Sequence, residues 1–454
     1  MKRHLLAVFG CLLSVSVLNA QNPHYADPES LQWPPQLTAT GQPVRHADAL
    51  FLKPPAALQQ GVRIAQTPPE VTLLICPDQN YPGNPWSNWG SGSFANGKAW
   101  FAIGDHYAIG RGKGRYGRGN AIIQEYDPAS GALRTLSTTA ALLSLPDDHY
   151  LPGKIHSRVD MGRDGWLYYA THRGSPAAAS RANHYRGDWI LRTHPEQGIS
   201  EVVAEAPVPE HSLPCSVLDP ERLIFYASTA AGPDAEDQRI QFLAWDIEQG
   251  RALYSGPDGP ARAMILAQST GRVYYVSGNS DGELHRFDPA QPTVPQSLGI
   301  TMGIRAASDE TENGRVYVVS TGQGSGQPEL REFDTRQETV QDLGDAAVGN
   351  EKYIASLAAD RSGQFLYYVP GAHGGGWRDG SPVVQFHIPS RTRKVIAFLD
   401  PFFTERYGLT LKGTYSVVLS ADGSTLFIVW NAARGTKAWD CCALSVIRIP
   451  ESER

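Results

Sequence analysis

His156 and His172 bracket a strand pair within GKIHSRVDMGRDGWLYYATHRG (153–174), and Arg173, Arg181, His184, Tyr185 and Arg186 follow His172 before Asp188. Imidazole changes charge near neutral pH, so a histidine pair on one surface can take up a proton and return it. Arginine further along the chain, at Arg262 and Arg305, supplies a planar fork that matches a carboxylate. These types suit β-elimination at a uronate. A base removes the proton at C5, a cation neutralises the carboxylate, and an acid protonates the leaving oxygen. His156, His172 and Tyr185 are candidates for base and acid, with Arg262 and Arg305 for neutralisation. Hydrolysis would want two carboxylates flanking the bond. Asp105, Asp188 and Asp379 are scattered instead.

The elements that must position these residues form a repeat. An apolar strand, a short turn and an aromatic-rich strand recur from Glu70 onward. The aromatic-rich strands are KAWFAI (98–103), WLYYAT (166–171), LIFYAS (223–228), RVYYVS (272–277), RVYVVS (315–320), FLYYVP (365–370) and TLFIVW (425–430). Turns such as Asn96-Gly97, Asp164-Gly165 and Asn313-Gly314 mark hairpins. A third strand follows each, often ending in Asp, and most run on into a fourth. Seven such units predict an all-β ring, a seven-bladed β-propeller over 70–454, which leaves few exposed strand edges. The seventh unit lacks a fourth strand, and VTLLIC (71–76) is predicted to complete it and close the ring.

In such a ring the starts of first strands and the second-to-third loops share one face. Here those loops are long and unlike one another, as binding loops on a regular scaffold tend to be. The loops at 105–119, 172–188, 371–382 and 431–443 hold ten Lys and Arg against four Asp and Glu. Further binding candidates on this face are His106, Arg111, Arg115, Arg173, His211, Lys352, Tyr353, Trp377 and Arg378. A basic face on a chain of net charge −6 points to an acidic polysaccharide or oligosaccharide and excludes a general nucleic-acid binder.

Residues 1–20 read as a secretory signal: Lys2 and Arg3, an apolar run from Leu5 to Val17, then Leu18-Asn19-Ala20. The expected location is secreted or periplasmic, with no membrane span in the mature chain. Residues 21–69 are proline-rich and read as an extended arm. An oxidising compartment permits disulfides, and ring closure would bring Cys76 beside Cys441 or Cys442. Cys215 is expected as a buried thiol.

The segments SNWGSG (87–92), NGKAWFAIGDH (96–106) and GKIHSRVDMGRDGWLYYATHRG (153–174) resemble the opening blades of secreted bacterial propellers related to ulvan-cleaving polysaccharide lyases. The resemblance spans roughly residues 86–192. It implies a seven-bladed fold and a histidine pair at the channel mouth, matched here by His156 and His172, with Tyr and Arg partners. Tyr185, Arg262 and Arg305 are assigned by face and not by motif. That reading requires no cofactor. Two alternatives stand beside it. One is a non-catalytic propeller that binds carbohydrate or protein. The other gathers His156, His172, His211 and His373 around a divalent metal, as propeller lyases acting on oligogalacturonate do by analogy.

Overall fold

A computed structural model describes residues 37–38, 41–79, 87–105, 119–174, 176–278, 282–320, 326–434 and 441–454. Alternation of side chains along short strands, punctuated by tight turns, dictates the architecture. Leu167 and Tyr169 point into one apolar cluster with Trp100 and Ile123, while Tyr168 and Ala170 point into another with Leu213 and Phe225. Each sheet is thus apolar on both faces and must be sandwiched between two others. Seven buried clusters of this kind lie between successive sheets. Full burial of each large apolar side chain contributes roughly 1.5–3 kcal/mol.

The result is a seven-bladed β-propeller of antiparallel blades. Blade one comprises Ser93–Ala95, Lys98–Gly104, Ala121–Asp127 and Ala132–Thr138, and blade two Asp160–Met161, Leu167–Ala170, Trp189–His194 and Ile199–Glu205. Blades three to six follow in order, and blade seven is built on Leu409–Leu419, Thr425–Arg434 and Cys441–Arg448. Its outer strand is Glu70–Ile75, paired antiparallel with Cys441–Arg448, so the expected closure is present. The last cluster, with Leu74, Phe101, Ile103, Val429 and Leu444, welds blade seven to blade one.

The arm does more than extend. Val44–His46 adds a fifth strand to blade seven, and Arg63–Ile64 runs parallel to Thr392–Phe398 as a fifth strand of blade six. Between them Phe51, fully buried, packs on Phe402 and Phe403 with ring centroids 4.7 and 6.0 Å away.

The expected disulfide is not formed. Cys76, Cys441 and Cys442 are buried thiols. Cys441 faces the cluster between blades six and seven, while Cys76 and Cys442 share the one between blades seven and one. The junction is fastened by Gln79 instead. Its Nε2 donates to the carbonyls of Cys76 and Cys442 at 2.6 and 3.0 Å, and its Oε1 accepts the Cys442 N–H at 2.6 Å. Burial raises the Cys76 pKa, so the thiol stays protonated and packs as a small hydrophobe.

Candidate functional site at the channel

The innermost strand of blade two is broken where the site lies. Lys154 makes one isolated bridge to His172, and the ladder resumes only at Asp160–Met161. In the gap Ser157 Oγ donates to the Ala170 carbonyl at 2.9 Å and accepts the Ala170 N–H at 2.7 Å. A side chain thereby replaces two backbone partners, and His156 is released from the ladder. The segment Trp89–Ser91 closes over this gap because residue 90 is glycine: a Cβ there would lie 2.1 Å from the Ser157 carbonyl oxygen. Gly153 is needed for a similar reason, since a Cβ would meet Asp105 Oδ1 at 2.5 Å.

His156 Nδ1 lies 2.8 Å from the Pro214 carbonyl. A carbonyl only accepts, so Nδ1 carries the proton and Nε2 of the neutral ring presents a lone pair. The ring stacks on Trp89, with centroids 6.1 Å apart and planes at 18°. His172 meets it edge-on at 5.4 Å and 76°. Its Nδ1 donates to Ser212 Oγ at 2.9 Å, because that hydroxyl gives its own proton to the Ala230 carbonyl at 3.2 Å. Burial, then the charges of Lys154, Arg262 and Arg305, hold His156 well below the usual imidazole pKa. Burial followed by His156 and Lys154 does the same for His172. Both rings are neutral at neutral pH, with Nε2 the basic atom in each.

A cavity of about 70 Å³ opens beside His156, bounded by Arg158, Cys215, Arg262, Arg305 and Tyr415. It has room for several waters. Arg158 is neutralised by Asp160 and Asp309 at 3.0 and 2.9 Å. Arg262 and Arg305 have no carboxylate partner among the described residues. Arg305 is buried, donates from Nε to Tyr353 Oη at 2.6 Å and lies 4.7 Å from that ring's centroid. Tyr415 Oη is hydrogen-bonded to His373 Nδ1 at 2.7 Å. The cavity therefore presents a basic nitrogen and two arginines without carboxylates, and Tyr353, whose hydroxyl oxygen already accepts, sits behind Arg305.

Other expected residues have different surroundings. Tyr185 is buried and donates to Asp188 Oδ2 at 3.2 Å, in a network with Thr171 and Tyr150. Burial and Asp188 push its pKa well above 10, so it packs as a neutral phenol away from the cavity lining. Arg173 braces blade three by donating to the carbonyls of Ala230 and Ala231. His211 has both ring nitrogens engaged, with Thr229 and with the Asp237 carbonyl, each at 2.9 Å. Arg378 is paired with Glu351 at 2.9 Å. Trp377 is exposed, with Lys412 Nζ 5.0 Å from its ring centroid, and Lys352 is half-buried. His106, Arg111 and Arg115 lie outside the described residues. No three of His156, His172, His211 and His373 bring ligand atoms within 4.8 Å of one another, so the four-histidine metal cluster is not assembled.

Lys154 is a group at this site that residue type and motif do not single out. Lys154 is buried with its Nζ 4.0 Å from the Trp89 ring centroid. Burial lowers its pKa to about 7, against the opposing pull of Asp105. Its signal was strand alternation, since residues 154 and 156 share a side of an extended chain.

No family model matches the chain, and no curated protein is similar to it in sequence. Solved structures do match the fold. An oligogalacturonate lyase in complex with manganese superposes with TM-score 0.54 at 11% identity, covering 91% of this chain and 98% of that one. A chain of the mitotic checkpoint complex gives 0.53 at 11% over 89% and 99%. The WD40 domain of Neurospora crassa Pan2 gives 0.50 at 11% over 86% and 98%. At such identity the likeness establishes the propeller and nothing finer. The class of the protein is thus a seven-bladed β-propeller with a cationic, histidine-bearing channel mouth.

Proposed function

We propose that this propeller binds an acidic polysaccharide on its channel face and cleaves it by β-elimination at uronate residues. The observation that carries the reading is His156, fixed by Pro214 with Nε2 as a neutral base, beside two arginines that lack carboxylate partners. In this mechanism Arg262 and Arg305 hold the uronate carboxylate and stabilise the charge that develops there on deprotonation. His156 Nε2 takes the C5 proton. Tyr353, held by Arg305, gives its proton to the departing glycosidic oxygen, and an unsaturated uronate is left at the new chain end. His172 keeps the His156 ring edge-packed and adds no charge. One structural neighbour is a lyase and another is a WD40 domain, so the reading rests on the site and not on the ring. The signal-like segment at 1–20 supports a secreted or periplasmic setting, where such polymers occur. A panel of ulvan, pectate and glycosaminoglycans, followed by the ultraviolet absorbance of unsaturated uronates, tests it. Salt-sensitive binding with no product would favour a non-catalytic carbohydrate-binding propeller.

A further inference from the structure

A second cluster lies away from the channel, where the loop joining blade one to blade two meets the second-to-third loop of blade two. Asp148 and His149 come from the first loop and His184 from the second, and their ligand atoms all lie within 4.8 Å of one another. His149 and His184 stack with centroids 4.3 Å apart and planes at 16°. Their Nε2 atoms lie 4.0 and 3.6 Å from the Asp148 carboxylate oxygens. Those separations are too long for hydrogen bonds. Neither ring has another hydrogen-bond partner among the described residues. The 3.6 Å spacing fits a different arrangement, and the 4.0 Å one need close by only about 0.4 Å to join it. Tetrahedral ligands bound at about 2.0–2.2 Å are themselves about 3.3–3.6 Å apart.

The backbone holds the trio ready. Tyr150, next to His149, donates its N–H to the carbonyl of Asn183, next to His184, at 2.7 Å. His184 itself adopts φ +58°, with its N–H bonded to the Arg181 carbonyl at 3.0 Å. Two imidazoles and one carboxylate form a donor set suited to zinc-class divalent ions and poorly suited to calcium or magnesium.

We infer that Asp148, His149 and His184 form a binding site for a divalent transition-metal ion of the zinc class. The ion ties the inter-blade loop to the blade-two loop. A fourth position remains for water or a ligand oxygen, at the edge of a pocket of about 630 Å³ that Arg181, Arg186 and Trp189 also line. This inference is independent of the elimination reading and would survive its failure.

The test is Zn²⁺ retention by the mature protein after dialysis against zinc and gel filtration, with metal analysis. Wild type should keep one equivalent that His149→Ala/His184→Ala loses. Affinity in His184→Ala or Asp148→Asn should fall about 100-fold or more, since even an outer partner of a ligand is worth 10–100-fold. Co²⁺ in place of zinc should give a tetrahedral visible spectrum in wild type and none in the double variant. Circular dichroism of both proteins in chelator should coincide, which separates loss of ligand from loss of fold. Less than one equivalent in wild type, or equal retention by the double variant, would overturn the assignment.

Discussion

At the scale of single residues, the channel is defined by groups that burial keeps neutral beside groups that stay charged. Lys154 makes the clearest pH prediction. Its pKa is about 7 in the fold against 10.5 for the unperturbed side chain. Between those values the unfolded chain binds a proton that the folded chain has released, so this residue makes stability rise with pH. Lys154→Met should therefore be stabilised relative to wild type below pH 7, with an advantage that fades toward pH 10.5. Urea unfolding across that window measures it, and a constant difference would contradict a buried amine. Tyr185→Phe separates packing from chemistry. It removes one bond to Asp188, costing about 0.5–1.5 kcal/mol of stability, and should leave turnover of an accepted polymer within twofold. The residue reading was half legible. His156 and His172 stood out by type and by face, but Tyr185 looked like a polar loop residue. Its burial depends on Tyr150, Thr171 and Asp188 meeting from separate segments, which no local pattern reports.

Among elements, the decisive feature is the break in the first strand of blade two. The residues IHSRV alternate as a strand would, and nothing local says that the ladder opens there. The break is revealed by Ser157 hydrogen bonding in place of backbone and by Gly90 admitting a second segment at close range. The hairpins were legible because aromatic and β-branched runs bounded by Gly and Asp turns report strands locally. Gly90→Ala should cost about 1–3 kcal/mol as an overpacked contact. It should also lower turnover more than Gly97→Ala, whose added Cβ has nothing within 4 Å and pays only for its φ of +78°. Thermal unfolding and kinetics on the two variants check this, and equal kinetic effects would remove Gly90 from the positioning of His156.

For the whole molecule, closure is the dominant device. Blade seven takes its outer strand from the N-terminal side, and the arm then lays extra strands on blades six and seven. Ring and closing strand were legible from the seven repeats and the unassigned VTLLIC run. The arm's strands were not, because two- and three-residue strands have no period to read. Phe51→Ala should destabilise the whole ring by roughly 3–5 kcal/mol, seen as a single shifted unfolding transition. A local loss without that shift would make the arm an appendage. The ring then serves to hold one face rigid, with His156 over a cavity bounded by arginines from blades four and five. The most direct test of that claim is the initial rate of unsaturated-uronate formation by wild type and His156→Ala on the acidic polysaccharide panel. At least one polymer should be cleaved, with a rate that stays flat on the acid side until well below pH 6.5 and falls roughly 100- to 10,000-fold in the variant. No absorbance rise on any polymer, or a variant as active as wild type, would contradict it.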